Sequence, residues 1–382
     1  MGVKIPPLVA DLCAEADVKI GGDRPWDIHI NNERTFARVI GDGSLGFGET
    51  YMDEWWDCEA MDDMLSRLLS VEADIRILRH LNFANLLFIL QSTFTNMQSV
   101  RRAYQVGEQH YDIGNDVFAA MLDPRMIYSC GYWEYANSLA KAQEDKLHMI
   151  CQKLELTSGE HLLDIGCGWG GLAAFAAENY GVEVTGITIS REQKAIAEQK
   201  CANLPVDIQL TDYRSLVDTY ERAFDKIVSV GMFEHVGPKN YTAYFDVVKQ
   251  LLKPEGLFLL HTIGKLPPET STNRWINKYI FPNGHIPTTT ELVKHLGNHL
   301  RIEDWHNFGH DYDLTLQAWR KNFNGAWPFL AEKYGQRFGR TMQFYLAASM
   351  AYFRAGNGAL WQLVMTPIDR QRIYRSVRLQ PS

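Results

Sequence analysis

No run of about 18 uninterrupted apolar residues occurs in the sequence, so no helix is expected to span a bilayer. The most apolar stretch, FANLLFIL (Phe83–Leu90), is the length of a buried or interfacial helix, which leaves only peripheral contact with lipid. The N-terminus, MGVKIPPLVADLCAEAD, has too short an apolar run for a signal peptide, and acids follow at once. Cysteine is scarce. None of Cys13, Cys58, Cys130, Cys151, Cys167 and Cys201 pairs with another at CxxC spacing, and no histidine pair completes a zinc pattern. A structural metal is therefore not expected, and the usage fits reduced thiols in a cytoplasmic protein. Positive charge is also short. Lys+Arg number 38 against 46 Asp+Glu, a formal net charge of −8, which argues against a nucleic-acid partner. There is no internal repeat and no low-complexity tract.

What is present is globular: 382 residues, 46% hydrophobic and 12% aromatic, enough for two or three domains. The negative charge is unevenly spread. Residues 1–90 hold 8 Lys+Arg and 16 Asp+Glu, a net of −8, while the remainder balances at 30 and 30. This asymmetry marks a separate N-terminal module, placed at residues 1–92, with a linker over 93–105 and a second domain over 106–382. In the module, WDIHI (Trp26–Ile30) and TFARVI (Thr35–Ile40) read as short strands, GDGSLGFGETYMDEWWD is glycine-rich and then acidic-aromatic, and MDDMLSRLLS (Met61–Ser70) starts an amphipathic helix. From about residue 140 the pattern alternates. HLLDIG, VEVTGIT, VDIQL, FDKIVSVG and GLFLLHTIG are apolar strands, and LAAFAAENYG and SREQKAIAEQKCANL are helices, the second capped by Ser190. IEDWHNFG and ALWQLVMT close the pattern as two late strands around a helical segment of about 313–354. The expectation is an α/β, doubly wound, mostly parallel seven-stranded sheet behind a small N-terminal α/β domain.

DIGCGWGGL (Asp164–Leu172) follows the first strand of that sheet and opens a helix, a place where glycines permit a tight turn and free N–H groups point at a ligand. Gly166, Gly168 and Gly171 satisfy GxGxxG, so a dinucleotide site is one reading; it also requires an acid about 20 residues on, and Gly186, Ile187 and Thr188 supply none. The DxGxGxGG form, with Asp164 at the end of the strand, is similar to the loop of class I S-adenosylmethionine-dependent methyltransferases. A carboxylate beside the loop suits a ligand carrying an ammonium and a sulfonium better than a pyrophosphate. Thr211–Arg214 (TDYR) after the third strand and Gly231–Gly237 (GMFEHVG) after the fourth sit at the carboxyl edge where open α/β sheets bind ligands; Asp212 can accept from an adenine amino group, or simply cap a helix.

A second constellation is Cys130, Glu234, His261 and Tyr312. Glu234 and His261 both lie at carboxyl ends of expected strands, so the fold should bring them to one rim. A thiol, an imidazole, a phenol and a carboxylate offer donors plus one strong acceptor, which can hold a small oxyanion bearing its own hydroxyl. Each residue taken alone is as compatible with a satisfied core position.

QHYDIGNDVF (Gln109–Phe118), MIYSCGYW, LLDIGCGWGGLA, GITISREQ, VSVGMFEHVGPKNY, LLHTIG, WINKYIFPNG and DWHNFGHDYDLTLQAW resemble the cyclopropane-fatty-acyl-phospholipid synthases and, more loosely, the mycolic acid cyclopropane synthases. The resemblance covers nearly the whole chain. It implies a class I methyltransferase domain behind a lipid-associated or dimerisation module, usually as a homodimer. The implied reaction carries a methyl group from S-adenosylmethionine to a cis double bond of an unsaturated phospholipid acyl chain. The carbocation then loses a proton to bicarbonate and closes to a cyclopropane. The resemblance places the bicarbonate ligands on Cys130, Glu234, His261, Tyr312 and the backbone at Ile263. It places the cofactor contacts on Tyr128, Ser129, Asp164, Gly166, Cys167, Gly168, Gly170, Gly171, Thr188, Ser190, Gln193, Asp212 and Tyr213, and it implies no metal. It implies a cytoplasmic protein that visits the inner face of the membrane. Tyr128, Tyr132, Trp133, Tyr279, Phe281, Phe308 and Trp319 are the candidate aromatic faces for the cation. A late-helix cysteine of some members is missing from LAASMAYFRAG (Leu346–Gly356). Three other readings stay open on the residues alone: a heteroatom methyltransferase, a nicotinamide oxidoreductase and a non-catalytic lipid-binding protein. The basic C-terminal stretch, with four Arg and one Asp over its last 17 residues, reads as a contact for anionic headgroups or as a solvated tail.

Overall fold

The computed structural model of the chain describes residues 5–71, 114–266, 273–297 and 299–379. FANLLFIL, the expected 93–105 linker and the first part of QHYDIGNDVF lie outside the described residues. The described residues fall into two compact units. One is drawn from Met1–Met97, Pro268–Pro282 and Leu316–Gly358, the other from Gln98–Pro267, Asn283–Thr315 and Ala359–Ser382.

In the first unit the helices Pro7–Glu15, Arg34–Asp42, Ser44–Met52 and Met61–Ser70 surround a small antiparallel ladder of β1 (His29–Ile30) and β2 (Trp56–Asp57). Two expected strands are corrected here. WDIHI contributes only its last two residues to a strand, and TFARVI lies wholly in the helix Arg34–Asp42. Its β-branched residues favour a strand locally, but Phe36, Val39 and Ile40 recur at i, i+3 and i+4, and burial of Phe36 decides in favour of the helix. Most of the glycine-rich stretch is helical too, in Ser44–Met52, and Gly48 there lets the backbone approach Trp275, where a Cβ would come within 2.4 Å of the indole. The acidic excess finds its cations inside this unit. Asp53 pairs with Arg337, Asp57 with Arg340, and Asp62 with both Arg320 and Arg354, while Glu49 receives Lys278 at 2.6 Å. The Arg340 guanidinium also lies 3.9 Å from the Tyr51 ring centroid.

The second unit holds the expected sheet, built from β3 (His161–Ile165), β4 (Glu183–Thr188), β5 (Val206–Leu210), β6 (Phe224–Val230), β7 (Leu252–Lys265), β8 (Leu300–Asn307) and β9 (Gly358–Pro367). The spatial order is β5-β4-β3-β6-β7-β9-β8. Leu163 stands beside Thr185 on one side and Ile227 on the other, both parallel, and β8 runs antiparallel to β9. Alternate side chains part to opposite faces. Leu163, Phe258 and Leu260 pack with Tyr244, Phe245 and Leu292; Leu162, Leu257 and Leu259 pack with Leu147, Ile150 and Phe175. Strand order reverses between β3 and β6, so the loops leaving those two strands flank the crevice where open α/β sheets take their ligands. The long helix Asp311–Arg354 bends at Gly335 (φ 74°, ψ 158°) and leads to β9.

Candidate active site

The glycine loop leaves β3 and enters the helix Gly171–Tyr180. Gly166, Gly168 and Gly170 take φ of 84°, 55° and 76°, and the amides of Gly166 and Cys167 both donate to Ile187 O on β4, at 3.0 and 2.9 Å. A Cβ on Gly166 would press on Met232 at 2.7 Å, whereas one on Gly168 would meet nothing within 4 Å, so the loop is open at Gly168. Gly171 seats the helix against Arg125 O, 2.6 Å from where a Cβ would stand. Asp164 is buried and its Oδ2 has no hydrogen-bond partner among the described residues. Burial pushes this carboxyl up to about 7, against the pull of the Lys146 ammonium.

Thr188 donates through Oγ1 to Gln193 Oε1 (2.8 Å) and accepts from Ser190 N, and Ser190 caps the helix Arg191–Lys200 by accepting from Gln193 N (3.2 Å). These three residues thus form one buried turn beside the glycine loop. Asp212 does cap its short helix: Oδ1 accepts from Arg214 N, and the Arg214 guanidinium binds both carboxylate oxygens at 2.8 and 2.9 Å. Oδ1 thus accepts twice, and Oδ2 keeps a second acceptor position. Tyr213 is buried edge-on to Tyr244 (5.1 Å), with Arg214 over its ring. Ser129 is gripped twice from the helix Leu139–Lys153: Lys146 Nζ donates to its Oγ and Gln143 Nε2 to its O, each at 2.8 Å. The ring of Tyr128 meets Phe118 edge-on at 5.1 Å.

The second constellation comes together. Cys130 and Tyr132 are buried with Met149, Phe308 and Leu360, and Ile263 and Tyr312 pack on the same cluster. Glu234, on a short turn after β6, is tied to it by Ile263 N, which donates to Glu234 Oε1 at 2.7 Å. Its Oε2 is sealed from solvent without a hydrogen-bond partner among the described residues; the Thr262 hydroxyl beside it donates to Ile263 O at 3.2 Å. Burial raises the Glu234 carboxyl, against the Ile263 amide. His261 on β7 meets Phe308 at 5.9 Å, its Nδ1 lies 3.2 Å from Gln362 Nε2, and its Nε2 has no partner among the described residues. Burial, then the ammonium groups of Lys146 and Lys153, hold the ring well below the usual imidazole range, so it is neutral. The Cys130 thiol is driven well above its usual value by burial and stays protonated. Of the aromatic candidates, Tyr132 and Phe308 meet edge-on at 5.4 Å in the cluster, and Trp133 Nε1 donates to Thr315 Oγ1 at 2.9 Å. Tyr279, Phe281 and Trp319 belong to the other compact unit, where Tyr279 donates to Glu49 and Phe281 meets Tyr345. Among the described residues no group of His, Cys, Asp and Glu is arranged to hold a metal ion.

Residues 98–363 match the mycolic acid cyclopropane synthetase family. The cyclopropane-fatty-acyl-phospholipid synthase of Escherichia coli (strain K12) is 50% identical over 356 residues, 93% of this chain and 92% of that protein. The chain belongs to the cyclopropane synthetase family. Among solved structures, the cyclopropane synthase MmaA2 from Mycobacterium tuberculosis is 27% identical with a TM-score of 0.64, covering 69% of this chain and 97% of its own. Mycolic acid cyclopropane synthase CmaA1, complexed with SAH and CTAB, is 29% identical with a TM-score of 0.63 over the same shares. Membership makes the chain an enzyme and sets aside the oxidoreductase and non-catalytic readings. Three residues of the site were not visible as such in the sequence. Lys146 and Gln362 are buried polar side chains on an ordinary helix and an ordinary strand. Thr315 accepts from Gly131 N (3.0 Å) and Trp133 Nε1 and donates to Asp311 O (2.9 Å), fixing the Cys130 loop to the start of the long helix. Apart from polarity at positions of apolar period, no local signal marks them.

Proposed function

We propose that the protein transfers a methyl group from S-adenosylmethionine to the cis double bond of an unsaturated phospholipid acyl chain and closes the product to a cyclopropane. The observation that carries the reading is a pair of sealed polar atoms at one cluster, Glu234 Oε2 and His261 Nε2, with no hydrogen-bond partner among the described residues. Such atoms cost free energy unless something polar fills the gap, about 1–3 kcal/mol each. S-adenosylmethionine supplies an electrophilic methyl group when bound, and hydrogencarbonate supplies a base. The residues present fit both. The open face at Gly168 and the lone Asp164 oxygen suit the first. For the second, the phenol of Tyr312 donates, the neutral thiol of Cys130 donates on turning from Gly131 O, 3.1 Å away in this structure, and Glu234 Oε2 accepts the anion's hydroxyl. The set itself carries no positive charge; buried Lys146, close enough to oppose the desolvation of Asp164, supplies it. Protein nucleophiles are poor bases beside a carbocation because they are alkylated; keeping the Cys130 thiol protonated lowers that risk. No helix among the described residues is long and apolar enough to cross a membrane, so the proposed access to lipid is peripheral, by a cytoplasmic homodimer at the inner face.

The test is incubation of the full chain with methyl-labelled S-adenosylmethionine and vesicles of unsaturated phospholipid. Acyl chains heavier by one CH₂, and lacking the double bond, are expected. Label on a headgroup nitrogen or oxygen overturns the reading. Glu234→Gln should lower turnover by about 10²-fold or more with S-adenosylmethionine affinity unchanged, and carbonate-free buffer should slow the wild type until hydrogencarbonate is restored. Turnover indifferent to hydrogencarbonate removes it from the scheme.

A further inference from the structure

Every residue of β9 is buried, and Gln362 at its centre is fully so. Polar side chains are rarely spent there without a partner. The partner is His261 on the neighbouring strand: Gln362 Nε2 lies 3.2 Å from His261 Nδ1. An amide nitrogen only donates, so Nδ1 presents its lone pair. A neutral imidazole carries one proton, which then resides on Nε2. The reverse orientation of the amide would turn Oε1 toward an Nδ1 proton and bury an NH₂ group with two unmet donors. The orientation present leaves one N–H and the carbonyl oxygen Oε1 of Gln362 without a partner among the described residues, which costs less than two unmet N–H groups because an orphaned carbonyl is the better tolerated of the two.

We infer that Gln362 is a positioning residue that locks His261 as the Nε2–H tautomer, making His261 a fixed hydrogen-bond donor to the anion and not the acceptor of the proton lost from the methylated chain. This rests on the anion reading given above. It also assigns the proton balance. The proton released at ring closure goes to the hydrogencarbonate oxygen, and His261 ends the reaction as it began.

The tautomer is read directly by long-range ¹H–¹⁵N correlation of ring-labelled histidines in the full-length protein. His261→Asn identifies the signal among the twelve histidines. In the wild type, His261 should show an unprotonated Nδ1 and a protonated Nε2 between about pH 6 and 9. Gln362→Glu places an acceptor at Nδ1, and the ring should gain a proton there. Gln362→Leu, which avoids a buried carboxylate, should show both tautomers. The half-saturating hydrogencarbonate concentration should rise about tenfold in Gln362→Leu, with the KM for S-adenosylmethionine within about twofold. A protonated Nδ1 in the wild type, or an unchanged ring in both variants, overturns the assignment. The spectra need no hydrogencarbonate. A correct tautomer with turnover indifferent to hydrogencarbonate would therefore overturn the anion's part and leave the assignment standing.

Discussion

Asp164 and Lys146 are the two buried charges under the cofactor loop, and their protonation decides what the loop can hold. Burial lifts Asp164 to about 7 and pulls Lys146 down to about 8, where the nearby carboxylates of Asp123 and Asp164 oppose the fall. A ligand ammonium needs Asp164 ionised. S-adenosylmethionine affinity should therefore rise with pH through about 7 and level off above it. Calorimetric titration across about pH 5.5–8.5 measures this. Asp164→Asn should flatten the curve and weaken binding by about 10- to 100-fold. Lys146→Met removes the cation that favours the carboxylate, so the midpoint should move to higher pH. Affinity independent of pH in the wild type would show that Asp164 does not meet the ammonium. The effect on folding has the opposite sense. With its folded pKa above the unfolded value of about 3.9, Asp164 contributes stability that is complete below about pH 4 and lost as pH rises through 7.

At the level of elements, two glycines one residue apart separate stability from binding. Both Gly166 and Gly168 hold positive φ, which costs a side chain about 1–2 kcal/mol. Gly166→Ala adds a Cβ pressed on Met232, so it should lower the melting temperature and weaken cofactor binding together. Gly168→Ala carries the φ cost but meets no atom of the described residues, so it should lose less in melting temperature than Gly166→Ala and still lose at least about tenfold in S-adenosylmethionine affinity. Equal melting losses with unchanged affinity would show that the open face of the loop is not where the ligand lies. The same contrast explains what the sequence could reveal. The sheet was legible because each strand is a short apolar run ended by glycine or a polar turn, and Ser190 caps the helix its position predicts. Thr35–Ile40 was misread because β-branched residues dominate a window of six, too short for the helical period to outweigh them. Lys146, Thr315 and Gln362 stayed hidden because their partners lie 17, 184 and 101 residues away.

For the whole molecule, charge is settled internally more than its sequence distribution implies. The acids of the first quarter meet arginines from Arg320 to Arg354 within one unit, so the net charge of residues 1–90 is not the charge that unit presents. The basic C-terminus is likewise neither free nor uniformly offered to lipid. Arg370 is buried and reaches Glu255 O at 3.2 Å, and Arg378 binds both oxygens of buried Asp304 at 2.8 and 2.9 Å. Lys153, also buried, lies 3.6 Å from the same carboxylate and 3.1 Å from His306 Nδ1. This clasp holds Leu379 against the cluster of Cys130, Phe308 and Tyr312. Arg378→Ala leaves Asp304 with one distant cation, and the expected cost is about 2 kcal/mol, or roughly 4–8 °C in the melting temperature. Arg372, 78% exposed and 4.0 Å from Glu255, should change stability by less than about 0.5 kcal/mol when replaced by alanine. Because Leu379 rests on the cluster proposed to hold the anion, Arg378→Ala should also raise the hydrogencarbonate requirement, and Arg372→Ala should not. Scanning calorimetry and turnover on vesicles compare the pair. Equal, small effects would mean that the tail is solvated and the clasp carries nothing.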